Sequence, residues 1–253
     1  MNDRQLADQG LLALEGAFLV EKALKAGYSI DRLYCVGARE SWARGLSMGA
    51  CSPTVLPEAA VSEIAGYPFH RGVYALARRR PAIEASEAAR LSQAGNESGG
   101  RATVLVLPEI SDPENVGAAF RNAAALGCGA LFLGSCGPDP LSRRVLRVSM
   151  GASLNLPWAR LCGPEDMAIL SSLGFASAAC ILDPRALDMR AWPKPERLAL
   201  VLGNEAFGLS APWLEACEHR ITLPMLGGTD SLNVSTAAAI FLCLGLSPSI
   251  YIL

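Results

Sequence analysis

Residues 198–210 read LALVLGNEAFGLS. Five apolar residues follow one another without a polar break and stop at Gly203, where a short polar loop begins. A strand covered on one face alternates apolar and polar residues, so an unbroken run marks a strand covered on both, as in a parallel sheet. Similar runs recur at TVLVL (103–107), ALFL (130–133), SAACIL (177–182) and ITL (221–223). Between them lie segments with helical periodicity: 116–126, closed by Gly127, a short one at 211–217, and a last helix from about residue 231. This alternation predicts an α/β domain built on a parallel sheet.

Upstream, residues 81–100 read PAIEASEAARLSQAGNESGG, a polar, small-residue stretch that reads as a linker with at most a short helical start. Before it, residues 1–80 alternate again on a smaller scale. A helical period over 11–26 stops at Gly27, and strands are expected at 33–36, 53–56 and 72–77. Helices are expected at 40–48 and from Pro57 to about residue 64. The chain is therefore expected to form a small α/β module at 1–80, a linker at 81–100 and a larger α/β domain at 101–253.

Composition narrows the class. The 253 residues include 22 Lys plus Arg against 24 Asp plus Glu, and 51% are hydrophobic. That balance excludes a disordered chain and a protein that holds nucleic acid by bulk positive charge. The apolar stretch 236–253 is interrupted by Gly245 and Pro248, so a buried helix with an extended tail explains it better than a membrane span. Asp3, Arg4 and Asp8 stand where a signal peptide would need an apolar run. Eight Cys are never spaced two residues apart and there are only two His, a pattern that fits neither a zinc site nor a disulfide scaffold. No metal is expected, most of the thiols should be small buried hydrophobes, and a reducing cytoplasm follows.

Chemistry in open parallel sheets collects on loops beyond the carboxyl ends of the strands. Three such loops carry more polar and glycine residues than a connector needs: SDPENVGAAFRNAAALG (111–127), GNEAFGLS (203–210) and PMLGGTDSLNVSTAAA (224–239). In the first, Asn115 stands at a helix entrance and Arg121 on its flank, amid Ala118, Ala124 and Ala125. In the second, Glu205 sits between Gly203 and Gly208. In the third, Gly227 and Gly228 precede Asp230, Ser231 and Asn233 at the start of an apolar helix. Taken singly, each also reads as an ordinary turn, cap or solvated charge. Phosphate-loop, dinucleotide and nucleophile-elbow fingerprints are missing, which counts against hydride, P-loop and hydrolase chemistry.

Together and in order, DPENVGAAFRNAAALG, LVLGNEAFGLS and ITLPMLGGTDSLNVSTAAA resemble the three signature motifs of the SpoU (TrmH-type) RNA ribose methyltransferases of the SPOUT superfamily, across about 130 residues. VSMGASLNLP (148–157), EGAFLVEKALKAG (15–27) and FHRGVYALA (69–77) also look like the family. The resemblance implies a C-terminal trefoil-knot domain that binds S-adenosylmethionine in its knotted loops; knotted chains are so rare that no periodicity could have suggested one. By motif matching, Gly203, Leu223, Met225 and Leu232 would line the cofactor. Arg121 would be the catalytic group for methyl transfer to a ribose 2′-oxygen, with Asn115, Glu205, Ser231 and Asn233 holding it, the ribose and the phosphate in register. An arginine stays protonated under almost all conditions, so positioning and electrostatics suit Arg121 better than proton abstraction. The family further implies a homodimer whose site borrows residues across the interface.

The module at 1–80 resembles the ribosomal-protein-like RNA-binding domain fused to rRNA-directed members, which favours rRNA over tRNA. His70, Arg71, Arg78, Arg79 and Arg80, with Arg143, Arg144 and Arg147 of the larger domain, are the candidate RNA contacts. For each, a solvated helix or strand end is a competing reading. A non-catalytic RNA-binding protein keeping the knotted scaffold is the alternative function, and the intact motifs count against it.

Overall fold

The first strand in the computed structural model, which describes residues 2–49, 51–94, 102–204, 206–225 and 231–245, is β1, Leu11–Glu15. The helical period over 11–26 predicts a helix at this point. Instead Leu11 to Leu14 are all buried in an extended strand, and Gly16, at φ 92°, turns the chain before the helix Ala17–Lys25 begins. A strand covered on both faces carries consecutive apolar residues that mimic a helical stripe. β2 (Ile30–Cys35), β3 (Thr54–Val55) and β4 (Val73–Arg78) complete a sheet of order β1-β4-β2-β3. β4 pairs antiparallel with both β1 and β2, while β2 and β3 run parallel. The helix expected at 40–48 is shorter, Glu40–Arg44, and Pro57 caps the helix Glu58–Ala65.

The chain divides into two compact units. The first comprises Met1–Pro81 together with Asp139–Asn155, and the second Ala82–Pro138 with Leu156–Leu253. This differs from the boundaries read from sequence in two respects. Residues 139–155, including the helix Arg143–Val148, group with the first module, bound to it by ion pairs described below. The stretch 81–100 also carries a helix, Ala85–Ala94, whose Ala85, Ala88, Ala89 and Ser92 are buried. These positions follow an i, i+3, i+4, i+7 stripe, and their small side chains let the helix lie close on the sheet beneath. A packed helix of Ala and Ser has the composition of a linker, which is why composition alone misreads it.

The second unit holds β5 (Ala102–Leu107), β6 (Ala130–Gly134), β7 (Trp158–Leu161), β8 (Ala176–Cys180), β9 (Leu187–Asp188), β10 (Arg197–Leu202) and β11 (His219–Thr222). They form one sheet of order β7-β6-β5-β10-β8-β11-β9 with every pairing parallel. The run at 198–202 is thus the central strand, and Leu198 to Leu202 are buried throughout. The edge strands β7 and β9 are the ones the sequence conceals. β7 carries Arg160 and β9 is two residues long, so neither shows an apolar run. Pro113–Ala125 is the helix that follows β5, with Pro113 in its first turn and Asp112 as N-cap, accepting from the Glu114 amide at 2.9 Å. Val234–Gly245 is the last described helix. Among the described residues no helix is long and apolar enough to cross a membrane.

Candidate functional site

Central β10 ends at Leu202 beside the end of β8 at Cys180, and β11 ends at Thr222 on the far side of β8. The chain leaving these three ends closes around one cavity of about 510 Å³. Gly203, Leu223, Met225 and Leu232, the four positions that motif matching assigns to a cofactor, all line it, and so does Ser231. Cys180 forms part of the wall. Burial, with Cys217 as a smaller contribution, holds its thiol well above the ordinary range, which favours the neutral thiol.

The loop after β10 owes its shape to its two glycines. Asn204 and Gly208 exchange backbone hydrogen bonds of 2.9 Å in both directions. Gly208 adopts φ +71°, and a Cβ on Gly203 would stand 2.1 Å from the Gly208 carbonyl carbon. No side chain fits at 203 unless the loop opens. Asn204 pins the turn further: its Oδ1 accepts from the Ala206 amide at 2.8 Å, and its Nδ2 donates to the Glu109 carbonyl at 3.1 Å. Glu109 Oε2 accepts from the Ser210 amide at 2.9 Å, tying the far side of the loop to the segment after β5. Asn204 and Glu109 brace this loop, and motif reading assigned neither of them a part. A polar residue beside a glycine in a tight loop was the signal for the first, and nothing local marks the second.

Asn115 is buried in the first turn of the helix Pro113–Ala125, and its Oδ1 accepts from Asn233 Nδ2 at 2.9 Å. Asn233 Oδ1 in turn accepts from the Ser235 amide at 2.9 Å and the Ser235 hydroxyl at 2.6 Å, at the entrance of the last helix. Asn122 Nδ2 donates to the Ser235 carbonyl at 2.9 Å. The first and third motifs are therefore joined side chain to side chain, although 118 residues separate Asn115 from Asn233. Arg121 lies on the exposed face of the same helix and does not line the cavity. Glu205, Gly227, Gly228 and Asp230 lie outside the described residues, as does the tail after 245.

Most of the candidate RNA contacts are engaged within the first unit. Arg79 grips Asp139 with two hydrogen bonds of 2.7 and 2.8 Å. Arg143 donates to Asp3 at 2.7 Å and to the Ala65 carbonyl at 3.1 Å, and Arg147 lies 3.6 Å from Glu15. Arg78 pairs with Asp31, and Arg80 stacks 4.5 Å over the Tyr28 ring while donating to the Ala26 carbonyl. His70 Nδ1 sits 2.7 Å from Glu58 Oε1. Arg71 and Arg144 are exposed. Reading the arginines as a local cluster overlooks their carboxylate partners, which lie up to 140 residues away in sequence. Glu15, only 3% exposed, also accepts from the Tyr67 hydroxyl, and burial together with this carboxylate pushes that phenol up.

All eight cysteines are free, and their burial is mixed. Cys35 and Cys128 are buried as expected, but Cys243, within the apolar FLCL run, is exposed because it falls on the outer face of the last helix. Among the described residues no three His, Cys, Asp or Glu side chains gather in a way that could hold a metal ion.

Residues 102–243 match the model of the SpoU rRNA methylase family. A Mycobacterium bovis protein named as an uncharacterized tRNA/rRNA methyltransferase is 35% identical over 241 residues, covering 92% of this chain and 79% of its own. A 23S rRNA (guanosine-2′-O-)-methyltransferase of Acinetobacter baylyi is 29% identical, over 72% of this chain and 73% of its own. Among solved structures, an AdoMet-bound rRNA methyltransferase from Sinorhizobium meliloti shares the fold with a TM-score of 0.80 at 24% identity, covering 96% of this chain and 89% of that one.

Proposed function

The chain belongs to the SpoU rRNA methylase family, and from that premise we propose that it is an S-adenosylmethionine-dependent enzyme that methylates a ribose 2′-hydroxyl, in ribosomal rather than transfer RNA. One observation carries the reading: Gly203, Leu223, Met225 and Leu232, drawn from two motifs, surround a single cavity at the ends of adjacent parallel strands. Its volume of about 510 Å³ falls within the roughly 300–1,000 Å³ of small-molecule sites. Apolar side chains suit the faces of an adenine. Gly203 and Gly208 bring bare backbone to the wall, where a purine edge finds hydrogen-bonding groups.

The cofactor, when bound, supplies a methyl group already activated on a sulfonium centre. What remains for the protein is to align the ribose oxygen and to ease loss of its proton. We assign that work to Arg121, whose permanent charge stabilises the developing alkoxide and orients the neighbouring phosphate. Asn115 and Asn233, each bonded to the other, keep the helix that carries Arg121 in register with the third motif. Ser231, on the cavity wall, and Glu205 complete the set. The family reading also brings a homodimer, in which Arg121, exposed and off the wall of this cavity, would complete the site of the second copy. Membership of the family brings a trefoil knot into the reading as well. The first unit serves as the RNA-binding module, with Arg71 and Arg144 among its exposed cations. The enzyme works in the cytoplasm without a metal.

The test has two parts. Calorimetry should show S-adenosylmethionine binding, and ribosomal RNA from cells lacking the gene should gain one 2′-O-methyl site when treated with protein and cofactor. Arg121→Ala should lose at least about a hundredfold in rate while binding the cofactor as before. Undiminished transfer in that variant overturns the assignment to Arg121. Absence of cofactor binding in the parent protein would favour a non-catalytic RNA-binding protein.

A further inference from the structure

Phe207 is 92% exposed, the most exposed large apolar side chain among the described residues, and it lies at the cavity. A lone exposed hydrophobe is ordinary. Three features set this one apart. Leu182 and Leu232, also exposed, share the same cavity rim, so the apolar surface is gathered at one mouth. Phe207 belongs to the pinned turn between Asn204 and Gly208, whose backbone bonds and Asn204 side chain hold the backbone that carries the ring. And at 92% exposure the ring is packed against no neighbour, so a face of it stays open at the mouth of the cavity.

Resting on the proposed ribose methylation, we propose that Phe207 is the stacking platform for the base of the nucleotide being methylated. The argument is geometric. The 2′-oxygen sits on the ribose carbon next to the one that carries the base. An acceptor oxygen brought to the cavity therefore leaves its base within one nucleotide's breadth of the mouth, where Phe207 waits. Extruded bases are read by stacking on aromatic faces, which tolerates any base. Phe207 is thus a positioning residue that holds the nucleotide while other groups act on its ribose.

The experiment uses the 253-residue protein and ribosomal RNA from cells lacking the gene. Phe207→Ala, at so exposed a position, leaves the fold intact and should raise KM for RNA on the order of tenfold. The cofactor affinity by calorimetry and the mass by sedimentation should not change. Phe207→Tyr should restore the KM, whereas Phe207→Leu, apolar but unable to stack, should not. In Phe207→Trp, the added indole emission should be quenched by this RNA beyond the quenching of the parent's four tryptophans, with or without cofactor. An unchanged KM in Phe207→Ala, weakened cofactor binding or dissociation into smaller species overturns the proposal, as does absence of the extra quenching. If the parent protein transfers no methyl group, the ribose methylation reading fails, and the quenching result still decides whether Phe207 meets RNA.

Discussion

The two units spend their charged residues differently. In the first, Arg79–Asp139, Arg143–Asp3 and Arg147–Glu15 join residues that are 60 or more positions apart, and together they bind the segment 139–155 to the small sheet. In the second, Arg185–Asp183 and Arg190–Asp188 join residues two apart on exposed turns, while a parallel sheet with buried strands carries the fold. The added segment buries Val145 and Leu146 in the first unit, and half-buried ion pairs supplement that burial. A sheet covered on both faces needs no such help and leaves its loop ends free to be shaped by glycine. The cavity is accordingly a product of backbone, and Arg79, Arg143 and Arg147 of the first unit are first of all structural.

The harshest test of this contrast is Gly203→Ala. The new Cβ meets backbone at 2.1 Å, and backbone cannot swing aside as a side chain can. Overpacking of this kind costs about 1–3 kcal/mol, and relief requires the 203–209 loop to open into the cavity. Calorimetry with S-adenosylmethionine should show affinity reduced by at least about tenfold. Unfolding of the first unit should be unaffected. Affinity equal to the parent's would mean that the loop is not a backbone-built wall.

Next in size is Arg79→Ala. Arg79 is 18% exposed and makes both of its hydrogen bonds to one carboxylate, so its removal should destabilise the first unit by about 1–3 kcal/mol in a denaturant titration. Cofactor affinity should stay as it was. If stability is unchanged while RNA affinity falls, the arginine is a free RNA contact and the contrast between the units collapses.

These two sites also show what was legible beforehand. The runs at 103–107, 130–133 and 198–202 announce buried parallel strands because burial on both faces leaves no other residue choice, and the glycines at 203 and 208 announce a crowded turn. The same logic misleads at 11–15, where a strand buried on both faces imitates a helix, and at 85–94, where a packed helix of small residues imitates a linker. The Arg79–Asp139 and Arg143–Asp3 pairs were beyond reach, since nothing local in a charged side chain reveals a partner set by topology. The exposed placement of Arg121 away from the cavity depends on how one helix is rotated, which motif spacing does not encode.

Thiol labelling sharpens the comparison with a smaller signal. Burial pushes the Cys128 thiol up to about 12 and the Cys217 thiol up to about 11, so near about pH 8 both carry little of the reactive thiolate. Exposed Cys136, Cys162 and Cys243 should react with a disulfide reagent first. The buried thiols then report opening of their own units: Cys35 lies in the ion-paired unit and Cys128 in the parallel sheet. High salt screens ion pairs and strengthens apolar burial, so it should speed labelling of Cys35 relative to Cys128, read by mass spectrometry of the labelled peptides. Equal acceleration at both would show that the two units open together.

The smallest effect tests the local pairs of the second unit. Hydrogen bonds from Arg185 hold the Asp183 carboxyl at about 2, and those from Arg190 do the same for Asp188, against an ordinary value of 3.8. A carboxyl whose pKa is lower in the folded chain contributes stability that is fully present above its unfolded value and is lost as the pH falls through its folded one. The contribution of these turns should therefore hold down to about pH 4 and fade toward about pH 2. Both pairs are solvent-exposed, so salt should move the two midpoints back toward the ordinary value. Carboxyl carbon shifts followed by NMR measure this directly, and Arg190→Ala should move Asp188 up toward its ordinary range, short of it because the backbone N–H at 190 still donates, without altering Asp183. If both carboxyls titrate at their ordinary value in the parent protein, the i, i+2 pairs do not persist in solution, and the second unit depends even more completely on its buried strands.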